Sequence, residues 1–476
     1  MSQEYDAIVV GSGPNGFAAA ITLQQKGLSV LLIEGEQSIG GGMRTKELFG
    51  PGNWSDICSA IHPMAAGSPF FQSLSLENFG LEYIHPEILA AHPFDDGTAA
   101  ILKKSLEETA SSLGQDETIY KDIFSSLIKD WPIISKDVLG PLHWPAKPSK
   151  FLKFGVNALL PASIFSKKFV TEKAKGLWAG MAAHSLLPLN KLTTSAIGLV
   201  LMANGHIGGW PIPKGGSQSL ANALASLFTS IGGKIEVGHY VNDISELPSS
   251  KVVLFDTSPK MLVNIASNDL PDSYKRKIEK FRYGAGVFKM DWLLREPIPF
   301  VSENSRRAGT VHIGGTLQEI GQSEYDVAKG KISGKPFVLL AQQSLFDKER
   351  VTDGNQIVWG YCHVPNGSTV DCTEIIENQI ERFAPGFKDL IIDRHSFNTQ
   401  QIQSYNPNYI GGDINGGMLD IAQLYSRPIL QSSPYRTPNK RLYLCSASTP
   451  PGGGVHGMSG YYAAKRVLKE HWNIEL

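Results

Sequence analysis

Ala7-Ile8-Val9-Val10, then Gly11-Ser12-Gly13-Pro14-Asn15-Gly16, a helix-like run, a second apolar run from Val30 to Ile33, and Glu34: this stretch decides the fold. The spacing predicts a strand, a tight glycine turn, a helix and a second strand that ends in an acid. Gly11 lets the chain turn sharply out of the strand, Gly13 lets the backbone approach a pyrophosphate, and Gly16 lets the helix pack closely on the sheet. The helix then offers unpaired N–H groups and the positive end of its dipole to phosphates. Glu34, eighteen residues beyond Gly16, stands where a carboxylate accepts hydrogen bonds from ribose hydroxyls and disfavours a 2′-phosphate. A bare GxGxxG marks many turns. The full order of strand, glycines, helix, strand and acid specifies a dinucleotide-binding βαβ unit.

The next segment, GGGMRT at Gly40–Thr45, narrows the reading. Glycines and an arginine just past the ribose acid resemble the second fingerprint of the FAD-binding glutathione-reductase-like superfamily. That resemblance implies that Gly41, Gly42 and Arg44 join the site, with the arginine near the pyrophosphate or adenosine part of FAD.

A chain of 476 residues exceeds one ordinary domain, and two interleaved domains are expected. A net charge of -1 and a pI near 6.9, with no long basic run, give no electrostatic footprint for nucleic acid. Near-zero net charge is compatible with self-association. The fingerprint starts at residue 7, which leaves no room for a cleaved leader, so a cytoplasmic location is the expectation. Cys58, Cys362, Cys372 and Cys445 stand apart with no CxxC spacing, which argues against disulphide-reducing chemistry. The histidines are scattered, and no metal site is expected.

The fold class expected is α/β: a Rossmann-like FAD-binding domain with an interleaved α+β substrate domain holding a mixed sheet and helices. Residues 1–85, 205–265 and 425–476 are assigned to the first, and 86–204 and 266–424 to the second. Residues 86–204 read as mostly helical, with Leu and Ile at spacings of three and four from Ile119 to Val138 and from Thr193 to Met202. A helix over Ser217–Ile231, a strand over Lys234–Val237 and a buried strand over Val252–Phe255 return the chain to the cofactor domain. Runs at Val287–Leu294, Val338–Gln343 and Ile357–His363 predict the mixed sheet. Near the end, Gly452, Gly454 and Gly457 again satisfy GxGxxG. No further strand with a ribose acid follows before Leu476, so this is not read as a second nucleotide site, and rapid reduction by NADH or NADPH is not expected. The helix that starts there is expected to aim its N-terminus at the flavin ring.

Taken together, the fingerprint, the Pro213–Gly215–Gly216 turn with its helix, and PPGGGVHGMSGYYAA near the end resemble the phytoene-desaturase-like branch of the FAD-dependent amine-oxidase superfamily. KMDWLLREPIPF (Lys289–Phe300), QQSLFDKERVTDGNQIVWGYCHVP (Gln342–Pro365) and NYIGGDINGG (Asn408–Gly417) are similar to the pyridine nucleotide-disulphide oxidoreductase domain-containing protein 2 group and to ketolase-like carotenoid enzymes. The resemblance spans nearly the whole chain. It implies FAD contacts at Gly11, Gly13, Gly16, Glu34, Gly42, Arg44, the backbone of Val241, and Gly453, Gly454 and Val455. Ser446 and Ala447 depart from the family's usual Gly with Asp or Ala, which leaves the contact there open.

Such a protein would pass a hydride from substrate carbon to flavin N5 and dispose of a proton. The substrate expected is a small apolar molecule, isoprenoid or acyl, in a tunnel with few polar groups, because an unpaired buried charge is costly. His456 and His62 are the candidate proton handlers, with a ring that braces the glycine loop by hydrogen bonds as the rival account of the first and a satisfied structural histidine as that of the second. Asp413, Trp210 and Tyr461 are candidate pocket residues, each with core packing or turn formation as the rival account. Lys150–Phe169, rich in aromatic and aliphatic residues with lysine its only charged type, reads either as a peripheral membrane contact or as an amphipathic interface helix; Pro161 stops it from spanning a bilayer. Two alternatives stay open for the whole chain: a flavin amine oxidase, and a non-catalytic FAD-containing interaction protein.

Overall fold

The computed structural model describes residues 5–476. The first apolar run forms the strand Tyr5–Val10, central in a five-stranded sheet of order Leu442–Leu444, Ser250–Phe255, Tyr5–Val10, Val30–Ile33, Lys234–Glu236. Every pairing in it is parallel. Parallel strands are covered on both faces, which is why these read as continuous apolar runs. The fingerprint helix Pro14–Gln24, helix Ser217–Ser230 and the C-terminal helix Met458–Trp472 pack on one face. On the other face, Leu262, Ile265, Tyr274 and Ile278 from helices Pro259–Ile265 and Asp272–Ile278 share a core with Ile8, Ile33 and Phe255. The packing on the parallel sheet thus continues to Ile278, beyond residue 265.

Glycine sets the spacing of this layer. A Cβ on Gly16 would lie 1.9 Å from the Gly11 carbonyl oxygen, and one on Gly460 would lie 1.8 Å from the Asn15 carbonyl oxygen. Only glycine allows the first helix to sit this close to its own turn and to the last helix of the chain.

The second sheet has seven strands, in the order Ile391–Phe397, Gly286–Leu294, Gln356–Val364, Val338–Ala341, Ala308–Ile313, Ile88–Pro93, Ala99–Leu102. Its pairings are antiparallel except the parallel one between Ala308–Ile313 and Ile88–Pro93. Residues 86–204 are mostly helical as expected, apart from the two strands in 88–102, which the sequence reading did not mark. ILAAHPFDDGTAAIL is a hairpin whose buried arms carry no alternation, and its turn at Asp95–Gly97 was the signal to read. Helices Leu106–Ser112, Glu117–Val138, Pro148–Ala158, Glu172–Ala183 and Thr194–Ile207 follow. Helix Pro148–Ala158 ends before Pro161, as the proline requires.

A buried ionic knot ties the two domains. Arg350, 1 % exposed, reaches Asp56 Oδ2 at 2.6 Å, Asp347 Oδ2 at 3.0 Å and the Pro213 carbonyl at 2.8 Å. Asp56 also accepts from Thr45 and from the Ser217 N–H, and Asp347 accepts from the Gly215 N–H. Burial pushes the Asp56 carboxyl up, but the Arg350 guanidinium overrides it and holds the group below its ordinary value. Replacing Arg350 by Met strands two carboxylates in the interior, so unfolding free energy should fall by about 3–5 kcal/mol. Guanidinium unfolding midpoints of the two holoproteins measure this, and equal midpoints would count against the knot as a tie between domains.

Candidate functional site

A single cavity of about 620 Å³ runs from the fingerprint turn into the substrate domain. Val10–Asn15, Glu34–Glu36, Gly41, Gly42, Arg44, Val241 and Asp256–Ser258 wall one end, and Gly453–His456 face its middle. Gly16 stands just behind the wall, in the packing role expected of it. Gly11 has φ +103°, the left-handed turn that takes the chain out of its strand. A Cβ on Gly41 would be 3.1 Å from Gly13 Cα, so the two glycine segments lie against each other at the N-terminus of the first helix and form one bed.

Glu34 and Arg44 pair with one another. Arg44 Nη2 donates to Glu34 Oε1 at 2.9 Å, and its Nε donates to the Ser38 carbonyl at 2.9 Å. Glu34 Oε2 accepts from the N–H and hydroxyl of Ser12, at 3.0 and 2.5 Å. The guanidinium lies 5.4 Å from the Tyr405 ring centroid. The acid of the first fingerprint and the arginine of the second thus fix each other's position in the wall.

Asp256 is a site residue that the sequence reading missed. It directly follows the strand Ser250–Phe255, and its Oδ2 accepts from the Gly16 N–H at 2.8 Å, at the mouth of the fingerprint helix. The acid closing the VVLF run was the available signal. Burial pushes its carboxyl up to about 7, against the pull of the Gly16 N–H and with the added push of Glu34.

The two histidines separate. His456 Nδ1 accepts from the Met458 N–H at 3.0 Å, and Nε2 faces the Gly452 carbonyl at 3.2 Å. Both nitrogens are committed to their own loop, and burial lowers the pKa to about 4. Of the two accounts of His456, these bonds fit the brace of the glycine loop and not the proton handler. His62 Nε2 donates to Ser217 Oγ at 2.8 Å, because that hydroxyl is spent on the Ser59 carbonyl. Its Nδ1 is buried without a partner, in a residue of the cavity wall. Burial brings its pKa down to about 4, so the lone pair is available at neutral pH.

Asp413 is not in the wall. Its carboxylate accepts from the Gly284, Asn415 and Gly417 N–H groups and pins the loop around it. Trp210 lines the cavity, whereas Tyr461 packs on Phe70 in the core. Cys58 lines the cavity beside Tyr409, and burial raises its thiol pKa. Cys362 and Cys372 have neighbouring thiols in the core beneath the mixed sheet, outside the cavity wall.

Parallel sheet, glycine bed and paired acid and arginine define a dinucleotide-binding site. Residues 9–73 match the family model of an NAD(P)-binding Rossmann-like domain. The chain is 24% identical to pyridine nucleotide-disulfide oxidoreductase domain-containing protein 2 of Rattus norvegicus, over 100% of this chain and 95% of that protein. It is 23% identical to a limonene dehydrogenase component of Castellaniella defragrans, over 98% and 95%. Among solved structures, an oxidoreductase from Methanosarcina mazei superposes with a TM-score of 0.64 at 14% identity, over 98% of this chain and 100% of that one. Over nearly its whole length the chain is thus similar to proteins named as oxidoreductases, and its N-terminal part is a Rossmann-like dinucleotide-binding unit. The two joined glycine segments and the glycine loop at Gly453–Val455 fit FAD, the cofactor that the family resemblance implies.

Neutral Asp256 suits a neighbouring pyrophosphate; ionised, it adds a negative charge beside Glu34. The protonated form binds better, so FAD affinity should be highest below pH 7 and fall as the pH rises through it. A shift of one pKa unit on binding corresponds to about tenfold in Kd by pH 8.5. Asp256→Asn keeps an acceptor for Gly16 and should flatten the profile. Flavin fluorescence titrations of apoprotein from pH 6 to 8.5 read this, and parallel slopes for the two proteins would refute it.

Proposed function

We propose that the protein is an FAD-dependent dehydrogenase, desaturase or isomerase acting on an apolar substrate of isoprenoid or acyl type. The observation that carries this reading is the division of charge in the cavity. Among the described residues of its wall, the acids and the arginine are Glu34, Glu36, Arg44 and Asp256, all at the dinucleotide end. Beyond them the wall is made of groups such as Met64, Phe154, Ile197, Val200, Leu201 and Leu339. A charged substrate would lose hydration there with nothing to replace it, whereas an apolar chain gains by leaving water. The likeness to a protein named limonene dehydrogenase supports the same substrate class.

When bound, FAD supplies a hydride acceptor at N5. The apolar wall orients the substrate and excludes water, and the brace at His456 holds the glycine loop in one conformation. His62 Nδ1, unpartnered and unprotonated, is the group we assign to hold the released proton; Ser217 fixes the ring for it. An amine oxidase is the second reading, favoured by the aromatic set Trp359, Tyr361, Tyr405 and Tyr409 that also lines a smaller adjoining cavity.

Anaerobic titration of the holoprotein should show the flavin bleached by an isoprenoid or acyl compound, and by neither putrescine nor NADPH. His62→Gln should lower the rate of bleaching by about 10²-fold or more with little change in binding. Bleaching by the amine alone would replace this reading with the second one.

The entrance to the cavity supports a peripheral membrane contact. Helix Pro148–Ala158 turns Phe151, Phe154 and Ala158 to the cavity. Its other side exposes Leu152 and Val156, with Leu142, Trp144 and Leu159 exposed beside it. Lys147, Lys153, Lys167 and Lys168 are exposed around this patch, which suits insertion among anionic headgroups. No helix among the described residues is long and apolar enough to cross a membrane. The holoprotein should co-sediment with phosphatidylglycerol vesicles, and Leu152→Asp with Val156→Asp should abolish this while leaving flavin content unchanged. Equal sedimentation of the two proteins would leave the interface-helix reading.

A further inference from the structure

The apolar part of the cavity is interrupted on one wall. Pairing places His312, Leu339 and Tyr361 in one row across three strands of the mixed sheet. Thr310 and Trp359, each two residues earlier on its strand, share that face. Thr310, Leu339, Trp359 and Tyr361 line the cavity, together with His184 at the end of helix Glu172–Ala183. The Phe337 ring joins the group, with centroids 6.5 Å from His184, 5.7 Å from His312 and 5.7 Å from His363. Tyr361 in turn stacks 5.8 Å from His363.

The hydrogen-bonding capacity of this wall is unspent. Thr310 Oγ1 and Trp359 Nε1 are buried with no partner. The Tyr361 hydroxyl and His184 Nδ1 have none among the described residues. The proton positions on the histidines follow from the pair they form. His184 Nε2 and His312 Nε2 are 3.0 Å apart, so one donates and the other accepts. His312 Nδ1 is buried without a partner, and an orphaned N–H costs more than a bare lone pair. The His312 proton therefore sits on Nε2 and is donated to His184. Burial keeps both rings neutral, lowering the His184 pKa to about 3, so His184 carries its own proton on Nδ1, the nitrogen left for the cavity.

The wall thus offers four donors: a histidine and a tryptophan N–H, and the hydroxyls of Tyr361 and Thr310. Lys289 stands opposite Tyr361 on the next strand, but its ammonium is paired with Asp291 and it lines the smaller adjoining cavity. Among the described residues no lysine lines this cavity and its one arginine, Arg44, is at the dinucleotide end, while Glu324 lies behind the wall, 2.8 Å from His363 Nδ1. Donors without a cation, backed by a carboxylate, suit a neutral acceptor and disfavour an anion. We propose that this wall receives a neutral oxygen of the substrate, a carbonyl, ether or hydroxyl. The substrate class is then an oxygenated apolar molecule, neither a bare hydrocarbon nor a fatty carboxylate. This rests on the apolar-substrate reading above and narrows it.

Three probes of one carbon skeleton test it on the holoprotein: farnesene, farnesal and farnesoic acid, each titrated anaerobically while the visible spectrum of the bound flavin is followed. Farnesal should bind about tenfold or more tighter than farnesene, since an analogue without the oxygen leaves the buried donors unpaired, and tighter than the acid. His184→Phe and Tyr361→Phe should each cut the preference to about threefold or less with the farnesene Kd unchanged. FAD content and melting temperature show that the variants are folded, and the wild-type comparison needs no variant. Equal affinity for farnesene and farnesal, tightest binding of the acid, or equal weakening of all probes by both variants would overturn the inference and leave the apolar reading standing. If no probe perturbs the flavin, the apolar reading itself fails.

Discussion

The backbone contacts at Gly16 and Gly460 are the constraint on which the cofactor domain depends. At both places a side chain would collide with a carbonyl oxygen less than 2 Å away. Their absence brings the fingerprint helix against its own turn and sets the C-terminal helix across it. Residues near the two ends of a 476-residue chain are thereby fixed to one bed. The N-terminal helix contributes its dipole there, and the loop before the C-terminal helix, braced by His456, closes the bed from the other side.

Charge is then distributed unevenly along the cavity. Glu34, Arg44 and Asp256 are concentrated at the fingerprint end, where a charged, hydroxyl-rich dinucleotide would lie, and each is held by the backbone or by one another. Arg350 and its carboxylates lie outside the cavity wall and join the domains. The remaining wall is apolar apart from the His184 and Tyr361 side, where neutral donors stand in place of charges. The interior thus sorts cofactor from substrate by the cost of burying charge.

Legibility in the sequence followed how local each feature is. The βαβ unit was readable because the apolar run Ala7–Val10, the glycine turn and Glu34 all fall within 28 residues of one another. The helix Glu117–Val138 was readable from its period. The hairpin of 88–102 was not, because strands buried on both faces lose the alternation that marks them. The sequence left His456 open between proton handler and loop brace for a related cause: glycines around a histidine look the same whether its ring faces a substrate or its own loop. Asp256 was passed over because its importance comes from a contact 240 residues distant in the chain.

The sequence alone determined the parallel sheet and the glycine bed, since these rest on backbone stereochemistry and short-range spacing; FAD as the dinucleotide followed from the resemblance of Gly40–Thr45 to a family fingerprint. Tertiary structure decided which polar groups remain unspent. Pairing Glu34 with Arg44, committing both nitrogens of His456 and leaving Nδ1 of His62 and of His184 open are outcomes of long-range packing. Hydrogen-bond saturation belongs to the assembled interior, and no residue carries it in its type or its neighbours.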